Sequence, residues 1–209
     1  MARGRFISLE GGEGVGKSTQ LRALAEWLGE RGRDVVTTRE PGGTQGAEAI
    51  RALLLNGSDD QWSAGSEALL FAAARADHVE RLIRPALERG AWVLCDRFID
   101  SSRAYQGVAL GLGDEEIMAL HRFGSGGLMP DFTFILDVEP VVAGQRLARR
   151  DGDVTDRIGG RDEAFHRRVR DAFRQLAERE PGRIRMIDTD QPREIVTAQI
   201  VAALGELGA

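Results

Sequence analysis

Gly11-Gly12-Glu13-Gly14-Val15-Gly16-Lys17-Ser18 matches G-x-x-x-x-G-K-[ST], and its flanks decide the fold. Before it stands the apolar run Phe6-Ile7-Ser8-Leu9, which reads as a strand; after it Leu21, Leu24, Ala25 and Leu28 recur at helical spacing. Glycines let a strand-to-helix turn close into a concave nest of N–H groups, and the helix N-terminus adds its own donors. Such a loop holds the phosphates of a nucleotide. The amides of Gly11, Gly12, Glu13, Gly14, Val15 and Gly16 are expected to cradle them, Lys17 to reach the β- and γ-phosphates, Thr19 to add a contact and Ser18 to offer its hydroxyl to magnesium.

Lys17 carries a second signal. Of the 28 basic residues 27 are arginine, so the one lysine stands where a compact ammonium is chemically required. A chance survivor of codon bias is the bland alternative.

Outward from the loop, short apolar runs alternate with longer stretches of helical period, the pattern of a parallel sheet with helices on both faces. The expected strands are Arg5 to Glu10, Asp34 to Arg39, Trp92 to Asp96, Phe132 to Asp137 and Ile184 to Asp188, each carrying Val, Ile, Leu or Phe as doubly covered strands do. Ala68, Phe71, Ala72 and Arg75 through Leu82 to Leu87 read as a long helix. Gly90 closes it, Pro130 precedes the fourth strand and Pro192 opens the last helix. The fold class is therefore α/β, a three-layer α/β/α P-loop NTPase with a five-stranded parallel sheet. Length and the absence of repeats or linkers predict a single P-loop domain over 1–209. From Arg146 to Arg161 charge and glycine dominate, which reads as a mobile arginine-rich flap (a LID at about 146–161) or, more blandly, as a solvated loop.

Composition narrows the partners. A net charge of −5 and a pI near 5.4 lack the basic field of a nucleic-acid binder. No apolar stretch reaches the roughly 18 residues that span a bilayer, and no signal-peptide pattern opens the chain, so no membrane partner and a cytoplasmic location are expected. The lone Cys95 follows Ala91-Trp92-Val93-Leu94 and reads as a small core residue. No Asn-Lys-x-Asp guanine reader is present, and a motor would need more chain, which leaves a small-molecule kinase.

Ligands of parallel sheets bind at the C-terminal ends of the strands. The second strand ends in Thr38-Arg39-Glu40-Pro41-Gly42-Gly43-Thr44, placing Arg39 where a guanidinium fork suits phosphate; an ordinary turn also explains the segment. The third ends in Asp96-Arg97-Phe98. Asp96 there suits a magnesium-bound water and Arg97 a clamp on donor and acceptor phosphates, or the two form a surface pair worth under about 1 kcal/mol. Phe71 and Arg75 share a helix face, so they either stack and hydrogen-bond a base or serve as a core Phe and a surface Arg.

These motifs together resemble the thymidylate kinases: Glu10-Gly11 to Ser18, Thr38 to Thr44, Phe71 to Arg75, Asp96 to Gly107 (DRFIDSSRAYQG), Pro130-Asp131 and Asp156-Arg157 follow that family's order over nearly the whole chain. The resemblance implies transfer of the γ-phosphoryl group of ATP to dTMP with Mg2+, in a homodimer. It implies that Phe71 stacks on thymine, Arg75 bonds its carbonyl edge, Arg39 and Arg97 hold the acceptor phosphate, and Glu13 lies near the acceptor sugar. Ser101, Tyr105 and Gln106 match positions lining the acceptor pocket, Tyr105 standing where a 2′-hydroxyl would project. Some relatives carry a catalytic arginine in the loop; Gly14 fills that slot here, which leaves Arg149, Arg150 and Arg157 of the flap as candidates. Gly159 replaces an acidic residue common in relatives and leaves the choice among them open. The adenine-side loop would be near Asp190-Gln191-Pro192. Other nucleotide kinases and a non-catalytic ATP-binding regulator are the alternatives.

Overall fold

The computed structural model describes residues 3–58, 60–151 and 156–205, without the side chains of Arg149, Arg150 and Asp151. Among them five strands form one parallel sheet in the order β2-β3-β1-β4-β5: β1 (Phe6–Glu10), β2 (Val35–Arg39), β3 (Trp92–Asp96), β4 (Phe132–Asp137) and β5 (Ile184–Asp188). The strand side-chain period of two explains the layering. On β1, Ile7 and Leu9 join Leu24 and Leu28 of α1 (Lys17–Gly29) and Val196, Ile200 and Leu204 of α9 (Arg193–Gly205). Phe6 faces the other way, with Val79, Ile83 and Leu87 below α3 (Ala64–His78). β2 lies at the sheet edge and is only partly covered, which is why Thr37 and Thr38 are tolerated there. Cys95 is fully buried, as its apolar neighbours predict.

The remaining helices are α2 (Gln45–Leu55), α4 (Arg84–Glu88), α5 (Ile99–Ser102), α6 (Asp114–Ser125), α7 (Pro140–Asp151) and α8 (Glu163–Arg179). The long helix expected over 65 to 89 is α3 and α4 joined by a π-helical turn, Val79–Ile83. Pro85 has no N–H to give the carbonyl one turn back, and the backbone takes the wider spacing instead. A second π-helical turn, Arg103–Ala109, continues α5.

The start of the run expected to be a flap or loop is helical instead. Residues 146–151 complete α7, because Val142 and Ala143 pack on the core and Leu147 packs on Gly14. Residues 152–155, the middle of the expected flap, lie outside the described residues.

A buried polar knot fastens α5, its π turn, β4 and the approach to β5. Asp100 is fully buried and accepts from Arg183 Nη1 (2.7 Å) and Nη2 (2.9 Å), Arg103 Nη1 (3.1 Å) and Thr133 Oγ1 (2.9 Å). Its carboxyl is desolvated, yet the bonds from Arg183 and the charges of Arg183 and Arg103 hold it below the usual range. Arg183 would keep Glu180, and Arg103 would keep Asp114 and Glu180, so replacing Asp100 by Ala should cost about 2 kcal/mol, the penalty of leaving buried donors without their acceptor. Removing Asp34 from its exposed pair with Arg89 should cost under about 1 kcal/mol. Urea unfolding midpoints of the two variants compare them; equal shifts would deny the knot its role.

Candidate functional site

Register assembles the site. In the parallel ladder Arg39 stands opposite Asp96 and Asp96 opposite Leu9, so β2, β3 and β1 end at one rim. Glu40 N donates to Asp96 O and Arg97 N to Leu9 O at 2.9 Å each, which ties the three departing loops together. A cleft of about 540 Å³ opens above this rim. Its walls include Lys17 and Ser18 at one end and Phe71, Arg75 and Gln106 at the other.

Between β1 and α1 the loop turns as its glycines allow. Gly14 sits at φ +70°, and a Cβ there would stand 2.5 Å from Ala143 O and 3.0 Å from Leu147 Cγ of α7. An arginine has no room in that slot in this arrangement. Lys17 Nζ folds back to donate to Gly11 O (3.2 Å) and Gly12 O (2.5 Å). Burial, helped by Arg97, pulls its pKa down to about 8. Ser18 Oγ donates to Asp96 Oδ2 at 3.1 Å.

Arg97 has φ +68°, rare for a residue with a Cβ, which swings its guanidinium under the loop. Nη1 donates to Gly11 O (2.8 Å) and Ser101 Oγ (3.2 Å), and the group lies 5.3 Å from the Tyr105 ring centre. Burial alone would weaken its charge, but Tyr105, Asp96, Glu10 and Glu13 together raise its pKa. Glu10, below it, is fully buried and accepts from Phe98 N (2.7 Å) and Ser101 Oγ (2.5 Å). Burial first, then Asp100, pushes its pKa up to about 8.

At the far end Arg75 is almost wholly buried. Nε donates to Glu40 Oε2 (2.7 Å) and Nη2 to Ser102 Oγ (2.8 Å) and Phe98 O (3.3 Å), which leaves Nη1 for the cleft that the residue lines. Glu40 Oε1 also meets His78 Nδ1 at 3.0 Å. Phe71, half-buried, lines the cleft, and so do Ser101, Tyr105 and Gln106. The wider π turn brings the neighbours Tyr105 and Gln106 to one side. Arg39 lines the cleft from the exposed side and donates to Glu48 Oε1 at 2.9 Å.

Of the other sequence candidates, Glu13, Gly14, Gly16 and Thr19 face the cleft; Gly11 and Gly12 do not line it but hold Lys17 through their carbonyls, and Val15 turns into the core. Arg157 does not face the phosphate loop as the flap reading supposed. It is buried and donates to Glu67 Oε2 (2.6 Å) and Leu54 O (2.8 Å), because a desolvated carboxylate is available on α3. The side chains of Arg149 and Arg150 lie outside the described residues. Among the described residues two cleft-lining arginines escaped the sequence reading, Arg22 and Arg51, and Arg146, read there only as the start of the flap, lines the cleft as well. Arg51 follows the Thr38 to Thr44 turn by one helix face, the one signal that pointed to it.

Oxygen donors at Ser18 and Asp96 beside a phosphate loop suit Mg2+, which takes one or two protein oxygens and leaves the rest to phosphate and water. Among the described residues no helix is long and apolar enough to cross a membrane.

Comparison with known proteins points to one family. The family model described as "Thymidylate kinase" matches residues 9–200. A thymidylate kinase of Rhizorhabdus wittichii is 60% identical over 98% of this chain and 98% of its own length. One of Caulobacter vibrioides is 52% identical over 96% of this chain and 95% of its own. The crystal structure of thymidylate kinase from Ehrlichia chaffeensis matches with a TM-score of 0.79 at 34% identity, covering 97% of this chain and 99% of that one.

Glu10 gives the site a pH signature. Its pKa is raised in the folded protein, so the stability it permits is full below about 4.5 and falls as pH rises to about 8. Glu10→Gln removes that titration. Its melting temperature should gain on the wild type steadily between those limits and hold a constant margin above them; a margin independent of pH would mean that Glu10 is ionised when folded.

Proposed function

This chain belongs to the thymidylate kinase family and transfers the γ-phosphoryl group of ATP to dTMP, giving dTDP and ADP; we propose that the two nucleotides meet end to end in the cleft above β1 and β3. The readings as another nucleotide kinase or a silent ATP-binding regulator give way to it. One observation carries the placement: the amide nest with Lys17 and Ser18 opens into the same cavity as Arg39, Phe71, Arg75 and Arg97.

In this reading the loop from Gly11 to Thr19 holds the ATP phosphates, and Lys17 leaves the carbonyls of Gly11 and Gly12 for the β- and γ-oxygens. Arg39 and Arg97 grip the acceptor phosphate, Arg97 already fixed by Gly11 O and Ser101. Phe71 stacks on thymine, and Arg75 Nη1 faces its carbonyl edge while Glu40 and Ser102 hold the rest of the guanidinium still. Glu13 lies toward the acceptor sugar. Tyr105, braced edge-on by Phe165 at 5.9 Å between ring centres, meets the sugar face where a 2′-hydroxyl would project.

Magnesium, when bound at Ser18 and through water at Asp96, would neutralise charge on the phosphates. An acceptor oxygen attacks the γ-phosphorus in line as the bond to the β-phosphate oxygen breaks, with no covalent intermediate. Catalysis is then positioning plus charge stabilisation by Lys17, Arg97 and arginines of the flap over 146–161, Arg149 and Arg150 remaining the candidates there. Covering the site limits wasteful hydrolysis. A homodimer in the cytoplasm completes the proposal.

Lys17→Ala should lower kcat by about 3 kcal/mol or more, a hundredfold or greater, as for other lost charge stabilisers. Steady-state ADP release measures it, and near-native turnover would refute the scheme. The wild type should phosphorylate dTMP well ahead of UMP in the same assay, whereas equal kcat/KM would remove Tyr105 from discrimination.

A further inference from the structure

One carboxylate outside the substrate-contact set stands where three elements meet. Glu67 shares the inward face of α3 with Phe71 and Arg75, four and eight residues on, and is fully buried. Oε1 accepts from Gln106 Nε2 at 2.9 Å, and Oε2 accepts from Nη2 of Arg157 and Nη2 of Arg161, each at 2.6 Å. Burial pushes its carboxyl up, but the three donors outweigh that and keep it below the usual range, so it is charged at neutral pH.

Two consequences follow from a charged acceptor in that place. A carboxylate cannot donate, so Gln106 must turn its amide nitrogen toward Glu67 and keep Oε1 as the acceptor for the cleft it lines. Among the described residues Arg157 and Arg161 each keep a buried Nη1 without a partner, which makes Glu67 the described carboxylate both guanidinium groups rely on. The turn those arginines anchor also belongs to the cleft. Asp156 and Ile158 line it, Asp156 Oδ1 accepts from the amides of Ile158 (3.0 Å) and Gly159 (2.8 Å), and a Cβ on Gly159 would stand 2.7 Å from Glu13 Oε2.

We propose that Glu67 is a positioning residue that couples the acceptor pocket, through Gln106, to the Asp156–Arg161 turn and hence to Glu13 of the phosphate loop. The coupling rests on the reading that the Phe71, Arg75 and Gln106 end of the cleft takes dTMP. A nucleotide donor group on Gln106 Oε1 fixes that amide, the fixed amide fixes Glu67, and the two arginines it holds lose freedom with it. The turn that meets Glu13 is thereby set before ATP is engaged.

Hydrogen exchange of the amides over 156–161, with and without saturating dTMP, tests the coupling, with calorimetry on the same samples to establish saturation. In the wild type dTMP should slow this exchange by roughly tenfold, the size of an ordinary coupling between sites. Gln106→Leu leaves both ion pairs intact, so at dTMP saturation established by calorimetry the dTMP effect on this exchange should disappear. Glu67→Gln should lose the dTMP effect and exchange faster without ligand. A merely structural Glu67 would speed exchange equally in both states and leave the dTMP effect intact in Gln106→Leu, which overturns the proposal; should Glu67→Gln fail to fold, Gln106→Leu decides alone. Wild-type protein that binds dTMP without slowed exchange overturns the coupling only, whereas no binding overturns the pocket reading and the coupling with it.

Discussion

Everything at the active rim follows from the register of three parallel strands. Neighbouring strands lie about 4.8 Å apart, so pairing Arg39 with Asp96 and Asp96 with Leu9 brings a guanidinium, a carboxylate and the phosphate loop within about two such spacings. A slip of one residue in β3 would turn Asp96 to the opposite face and carry Arg97 away from Gly11. The two buried faces of β3 forbid that slip, because Val93 and Cys95 would exchange places with Trp92 and Leu94 between two differently shaped layers. Sheet packing thus sets the distances on which phosphoryl transfer depends.

Much of this was legible in the residues alone. β3, β4 and β5 begin and end where their apolar blocks do, and β1 and β2 start one residue later than expected. The loop announced itself by glycine spacing, and Arg39 and Asp96-Arg97 by standing at strand ends. What escaped depends on partners distant in sequence. Arg157 looked like a flap cation because nothing near it in the chain reveals Glu67, 90 residues away. The available hint was local to Glu67 itself, a carboxylate on the same face as Phe71. The last turns of α7 were hidden for the opposite reason: Val142 and Ala143 on the core and Leu147 against Gly14 hold a helix through a run that composition marks as loop.

Arginine and lysine divide the work of positive charge here. Arg75 with Glu40, Arg103 and Arg183 with Asp100, and Arg157 with Glu67 all pair a guanidinium with a buried carboxylate. A guanidinium keeps its charge in such places, so these contacts hold at any pH the fold survives. Lysine lacks that constancy, and the single one is placed where its charge is drawn down to about 8 by burial and by Arg97.

Lys17 is the only side-chain amine of the chain, and with its pKa drawn down to about 8 roughly a tenth of it is unprotonated at pH 7 before polyanions arrive, far more than for a free lysine. Acylating reagents therefore meet one side-chain target, lying at the mouth of the nest. A bound triphosphate would both shield that nitrogen and restore its proton, so occupancy can be followed as protection of a single covalent handle, without any engineered tag.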